Sequence, residues 1–227
     1  MAATVTWGSG PLARAAALLH TLLVVQLCVL VTAAPTVVLP VLLDRDASNV
    51  PLFAMAAAPL GPALSAAVYA LRHRSQDLTD LSPARSFWRG YRMNARAVLK
   101  LWLPWLAWAA VAGITLAHPE GAGVPPWWHA ALVALAAGSL LWQANALVIA
   151  SLYEFRARDT ARLAAWFLIR TPRVTLGTAG LALAAGAVVV FWSEAVLALF
   201  AAGFAASLLS VSAPLRAELE ARFTRRQ

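Results

Sequence analysis

Five stretches of this sequence stay apolar for longer than a soluble fold can bury: 18–39, 50–71, 98–117, 127–152 and 174–213. About 20 such residues cross a hydrocarbon core of roughly 30 Å as a helix. The last stretch is about twice that length, and its one strongly polar interruption is Ser193-Glu194. It therefore predicts two crossings, 174–192 and 195–213, and a chain of six spans in all. Backbone N–H and C=O groups find no water in lipid and must be satisfied within the segment, which selects helices. No period-two alternation runs through these stretches, which excludes a barrel. The predicted fold class is all-α, a polytopic transmembrane helix bundle in one domain over residues 1–227.

Composition agrees. The chain is 61% hydrophobic and 12% charged, against about 45–50% and 25% in soluble domains. Its net charge of +8 does not indicate nucleic acid, because the cations sit in clusters between apolar runs and not over a polar surface. Cys28 is the only cysteine, so no internal disulfide forms and no cysteine-based metal site exists. His20, His73, His118 and His129 are scattered, with none at ligand spacing from another ligand type. The sequence implies no metal and no cofactor.

Orientation follows from the cations. Arg14 precedes span one. Between spans two and three, counting the entry to span three, lie Arg72, Arg74, Arg85, Arg89, Arg92, Arg96 and Lys100. The loop after span four carries Arg156, Arg158, Arg162, Arg170 and Arg173, and the tail carries Arg216, Arg222, Arg225 and Arg226. Of the 18 basic residues only Arg45 falls in an alternate loop. The positive-inside rule then predicts both termini in the cytoplasm. Trp127, Trp128 and Trp192 fall at the predicted outer boundary, with Trp88 and Trp102 toward the inner one. Arg14, an apolar run and Val31-Thr32-Ala33 together resemble a secretory signal with a small-residue cleavage site. The apolar stretch continues through 37–43, however, and predicts an uncleaved first span.

Two amphipathic cytoplasmic helices are predicted. One covers 83–97, with Ser82 as N-cap and Pro83 at the first helical position. From it, Arg89, Arg92, Arg96 and Lys100 form one stripe at spacings of three and four, beside a stripe of Trp88, Tyr91, Ala95, Leu99 and Trp102. This pattern predicts a helix along the anionic inner leaflet, with rings in the interface and cations at headgroups. It also suits a docking surface for a cytoplasmic partner. The helix then enters the membrane as span three, with a kink expected at Pro104. The second covers 160–171, capped by Asp159 or Thr160 and closed by Pro172. The exits of spans two and four echo each other, Tyr69-Ala-Leu-Arg72-His-Arg74 beside Tyr153-Glu-Phe-Arg156-Ala-Arg158.

The membrane core carries little chemistry. Asp44 and Asp46 fall outside and Asp77 and Asp80 inside, so no carboxylate pair lies in the apolar interior. His20, Lys100 and Glu194 read as boundary residues. Gln26, Gln143 and Asn145 are the deeper polar groups, and interhelical hydrogen bonds are their expected use. An enzyme is not predicted. The backbone is more informative. Pro59-Leu-Gly61-Pro62 falls near the middle of span two, where the prolines remove two helical hydrogen bonds. Helices broken at mid-membrane expose carbonyls that can meet a ligand, so Pro59, Gly61 and Pro62 form a candidate substrate site.

Pro59-Leu-Gly-Pro62-Ala-Leu-Ser-Ala-Ala-Val-Tyr69-Ala-Leu-Arg72, followed by Phe87-Trp-Arg-Gly-Tyr-Arg-Met-Asn94, resembles the YesL-like family of bacterial integral membrane proteins. The segment from Tyr153-Glu-Phe-Arg156 to Arg170-Thr-Pro-Arg173 is similar to that family's fourth loop, whereas 43–58 stands as an insertion. The resemblance brings no catalytic residues. It implies a multi-pass protein of the bacterial plasma membrane, associated with carbohydrate uptake and with sugar-transport complexes as partners. The expected function is thus an accessory or regulatory component of such a system. The alternative is a small-solute permease using the broken helix of span two.

Overall fold

The computed structural model describes residues 11–43, 46–75, 82–118 and 125–224. Every regular element among them is helical. The first span is α1 (Pro11–Thr32) followed by α2 (Ala34–Leu42), and the second is α3 (Val50–Ala56) followed by α4 (Leu60–Arg72). Helices α5 (Pro83–Ala117) and α6 (Pro126–Leu152) are the third and fourth. The amphipathic α7 (Ala157–Arg170) leads into α8 (Pro172–Phe191), and the chain ends through α9 (Glu194–Leu199), α10 (Ala201–Val211) and α11 (Ala213–Leu219). Pro83, Pro126 and Pro172 each open a helix, a position where the missing N–H has no intrahelical acceptor to lose.

Five helical segments are long and apolar enough to cross a membrane: Leu12–Thr32, Val50–Arg72, Pro83–Ala117, Trp127–Leu152 and Pro172–Phe191. The surface they leave is that of a membrane protein. On α1, Ala17, Thr21, Val25 and Val29 are buried at every fourth position. Leu19, Leu23, Leu27 and Val31 recur at the same interval and are 61–70% exposed. A soluble helix would place polar residues on that outer stripe. Here the outer stripe is apolar as well, the pattern that suits a lipid surface and not water.

The helix at the centre of the bundle is α4. Nine of its thirteen residues are buried, nearly all of them Ala, Gly, Ser or Pro. Small side chains let α1, α5, α6 and α10 approach it closely. Gly90 of α5 shows why: a Cβ there would stand 2.8 Å from the Tyr69 side chain.

Three expectations are revised. Span six, predicted as 195–213, is broken at Phe200 into α9 and α10. Span one, predicted as 18–39, begins at Pro11 and turns at Ala33. The amphipathic segment 83–97 runs on into span three as expected, in one helix that continues through Pro104. At 35 residues and about 1.5 Å each, α5 is roughly 52 Å long. It outruns a ~30 Å core by about two-fifths of its length, so its basic part extends past the span. The second amphipathic helix, predicted as 160–171, starts at Ala157, with neither Asp159 nor Thr160 at its N-cap. Asp44, Arg45, Asp77, Asp80, Arg225 and Arg226 lie outside the described residues.

Candidate functional sites: a sealed helix break, a cavity and a basic end

Span two breaks where its prolines predict, in a turn at residues 57–59 between α3 and α4. Two carbonyls at the break accept from side chains. Thr36 Oγ1 donates to the Ala56 carbonyl at 2.7 Å, and the Trp102 indole Nε1–H donates to the Ala57 carbonyl at 2.9 Å. Trp102, expected at the inner boundary, is only 7% exposed and sits inside the bundle. Its ring lies against Gly61, where a Cβ would fall 2.6 Å from ring carbons. Gly61 and Pro62 are buried in the bundle, and Pro59 is half-buried. None of the three lines the cavities described next, whereas Leu60 and Leu64 of the same helix do. Protein side chains thus take the Ala56 and Ala57 carbonyls at the break, tying it to α2 and α5.

The break in span six is closed in the same manner. Gln26 Nε2 donates to the Ala198 carbonyl at 2.7 Å, and Gln26 Oε1 accepts from the Ala202 N–H at 2.9 Å. Ala198 and Ala202 are four apart, so the carboxamide is inserted into what would be a single helical hydrogen bond. Asn145 Nδ2 likewise reaches the Ala164 carbonyl of α7 at 3.4 Å. These two amides serve the interhelical role expected of them.

Gln143 does not. It is 3% exposed, and its Oε1 has no hydrogen-bond partner. It faces a cavity of about 410 Å³ between α4, α5, α6, α8 and α10, walled by Leu64, Trp102, Trp105, Leu147 and Phe204. Thr178 enters the same cavity from α8, is 5% exposed, and its Oγ1 is also unpartnered. A second apolar cavity of about 410 Å³, toward α2 and α9, shares Leu64, Ala185, Leu197 and Phe204 with the first.

The cations gather at one end of the bundle. Thr21 of α1, His73 and Arg74 after α4, and Ser82 and Ser86 at the start of α5 border one crevice there. The C-terminal residues complete it. Leu215 and Leu219 of α11 are fully buried beside Ile149, Ala164, Phe167 and Val174. Burial of each leucine is worth about 1.5–3 kcal/mol, more than the surface ion pairs around them at about 0–1 kcal/mol. The leucines hold α11 and the charges set its register. Glu218 pairs with Arg222 at 2.9 Å and Arg170 at 3.4 Å, while both guanidinium groups lie over the Trp166 ring. Arg72 comes within 3.9 Å of Glu220, and the Tyr153 hydroxyl donates to the same carboxylate at 3.1 Å. The echoed exits of spans two and four thus converge on one acid.

Partial burial and the Glu220 carboxylate push the Tyr153 phenol up to about 12. The neutral phenol is the form that donates. Its contribution to stability is therefore complete below the ordinary tyrosine value near pH 10 and is lost as pH rises through 12. Spectrophotometric titration should show a phenolate transition near pH 12 that Tyr153→Phe removes. Its persistence in that variant would contradict the assignment.

On α5, Arg85, Arg89, Arg92, Arg96 and Lys100 are all exposed at spacings of three and four. None of them has an ion pair within the described residues. Arg85, Arg89 and Arg92 border a shallow concavity with Trp88 and Met93 in it, and these two are 41% and 52% exposed. The opposite face, Phe87, Gly90, Val98 and Trp102, is buried in the bundle. The predicted cation stripe is thus on one open surface. The predicted aromatic stripe divides, Trp88 facing out and Trp102 facing in.

Sequence reasoning named Arg89, Arg92, Arg96 and Lys100 and the proline break. It missed Trp102 and Thr36 as the groups that close the break, and Glu218 and Glu220 as the anchors of the basic end. A tryptophan opposite two mid-span prolines was the available signal for the first. Comparison with protein-family models, with curated proteins and with solved structures finds no match to this chain.

Proposed function

We propose that this membrane protein is a non-enzymatic accessory or regulatory component of the bacterial plasma membrane, docking a cytoplasmic partner on the basic face of α5. The resemblance of its sequence to YesL-like proteins supports a partner in carbohydrate uptake, such as a sugar-transport complex. One observation carries the reading. Five exposed cations on α5 have no acid paired to them among the described residues, while Glu218 and Glu220 at the same end pair with Arg72, Arg170 and Arg222. Trp88 and Met93 beside them add what a partner needs beyond charge, an adaptable apolar anchor. The permease alternative has less support. Both helix breaks are closed by side chains, and the cavities are walled almost wholly by apolar residues that offer a sugar few hydrogen bonds.

The test is the triple variant Arg89→Gln/Arg92→Gln/Arg96→Gln. It should insert normally, because Arg72, Arg74, Arg85 and Lys100 still mark that end as cytoplasmic. Affinity purification from membranes should lose the partner recovered with the wild type. Retention of every partner, together with weakened binding of the 83–100 peptide to anionic vesicles, would instead assign the arginines to lipid.

A further inference from the structure

We infer that the groove between α5 and α6 binds one anionic phospholipid, with its head at Lys100 and an acyl chain along the aromatic wall beyond. The groove encloses about 620 Å³, within the roughly 300–1,000 Å³ typical of small-molecule sites. Pro104, Trp105 and Trp108 line it from α5, and Leu135, Gly138 and Trp142 from α6. The Trp105 indole N–H donates to Ser139 Oγ at 3.3 Å, and the Trp142 N–H to the Ala161 carbonyl at 3.0 Å. With those donors taken, both rings offer the groove carbon. A Cβ on Gly138 would meet no atom within 4 Å, so the space over that residue is open.

Lys100 is the charged residue on the groove's wall. It is exposed and has no ion pair among the described residues. From Ala117 at the end of α5 back to Lys100, the helix rises about 26 Å. The ammonium is thus within reach of the headgroups that bound a ~30 Å core. Arg96, one turn nearer the basic end, is likewise exposed and without an ion pair among the described residues. Two neighbouring cations with no acid beside them complement a lipid phosphate. A zwitterionic head would instead bring a third cation to them. Beyond Lys100 the walls give an acyl chain continuous apolar contact and give a polar ligand almost nothing. The site needs no cytoplasmic partner, and its failure would leave the docking proposal standing.

The experiment places the full chain in phosphatidylcholine nanodiscs with increasing amounts of phosphatidylglycerol whose acyl chains carry bromine, which quenches tryptophan on contact. Brominated phosphatidylcholine is the comparison. The phosphatidylglycerol should quench saturably and bind about fivefold more tightly. Gly138→Leu fills the groove from an open position. It should bring that preference below about twofold without lowering the unfolding midpoint, since leucine also suits a helix better than glycine. Lys100→Gln should lower the preference equally and leave quenching by phosphatidylcholine unchanged. Equal binding of the two lipids, or a preference that stays near its wild-type value in either variant, would overturn the inference. Its survival in Gly138→Leu would assign the lipid to the arginines of α5 and not to the groove.

Discussion

Replacing Gly61 with valine should destabilise the bundle by roughly 3 kcal/mol or more. The new Cβ would fall 2.6 Å from the Trp102 ring, which has little freedom to move. Its indole N–H is bonded to the Ala57 carbonyl at 2.9 Å, and it packs on Trp105 at 5.0 Å between centroids. Valine must therefore eject the ring or push α4 away from α5, the helix that packs most closely on it. Trp102→Phe is the informative control. It removes the N–H together with part of the ring, and the Ala57 carbonyl still accepts from the Leu60 N–H at 3.1 Å. That variant should cost about 1–3 kcal/mol, one interhelical hydrogen bond plus the packing of the lost part of the ring. Unfolding in mixed micelles orders the two. A Gly61→Val protein more stable than Trp102→Phe would refute this account of the break.

Gln26→Met should cost about 2–4 kcal/mol, because it keeps the side-chain volume and removes a donor and an acceptor together. Without the carboxamide, the Ala198 carbonyl and the Ala202 N–H face each other across the turn at Phe200. They are orphaned unless α9 and α10 close into one helix. Unfolding midpoints measure the cost, and amide exchange at Ala202 reports which response occurs. A cost under about 0.5 kcal/mol with slow exchange at Ala202 would mean that the break heals and Gln26 is dispensable.

The contrast between those two breaks shows what the sequence can disclose. The interruption at 57–59 was legible because its cause is local: Pro59 and Pro62 have no N–H to donate. The interruption at Phe200 was not, because its cause is Gln26, an amide 172 and 176 positions away from the groups it bonds. Continuity of α5 through Pro104 was legible for the converse reason. One proline in a membrane helix removes a bond without ending the helix when neighbours pack around it. Five of the six predicted crossings were legible from run length alone, since lipid sets a single physical requirement. The cation stripe was legible from spacing, which fixes a helix face. The cavity was not: nothing in the sequence distinguishes Thr178, whose hydroxyl has no partner, from Thr175, whose hydroxyl donates to the Leu168 carbonyl of α7 at 2.8 Å.

The account rests on the basic face of α5 being on the cytoplasmic side, where a partner can reach it. Single cysteines in a Cys28→Ala background test this with a membrane-impermeant maleimide on intact cells. Trp192→Cys, at the exposed end of α8, should label from outside. Arg89→Cys, on the exposed face of α5, should label only after permeabilisation. Labelling of Arg89→Cys in intact cells, with Trp192→Cys protected, would reverse the orientation and contradict the proposed docking function.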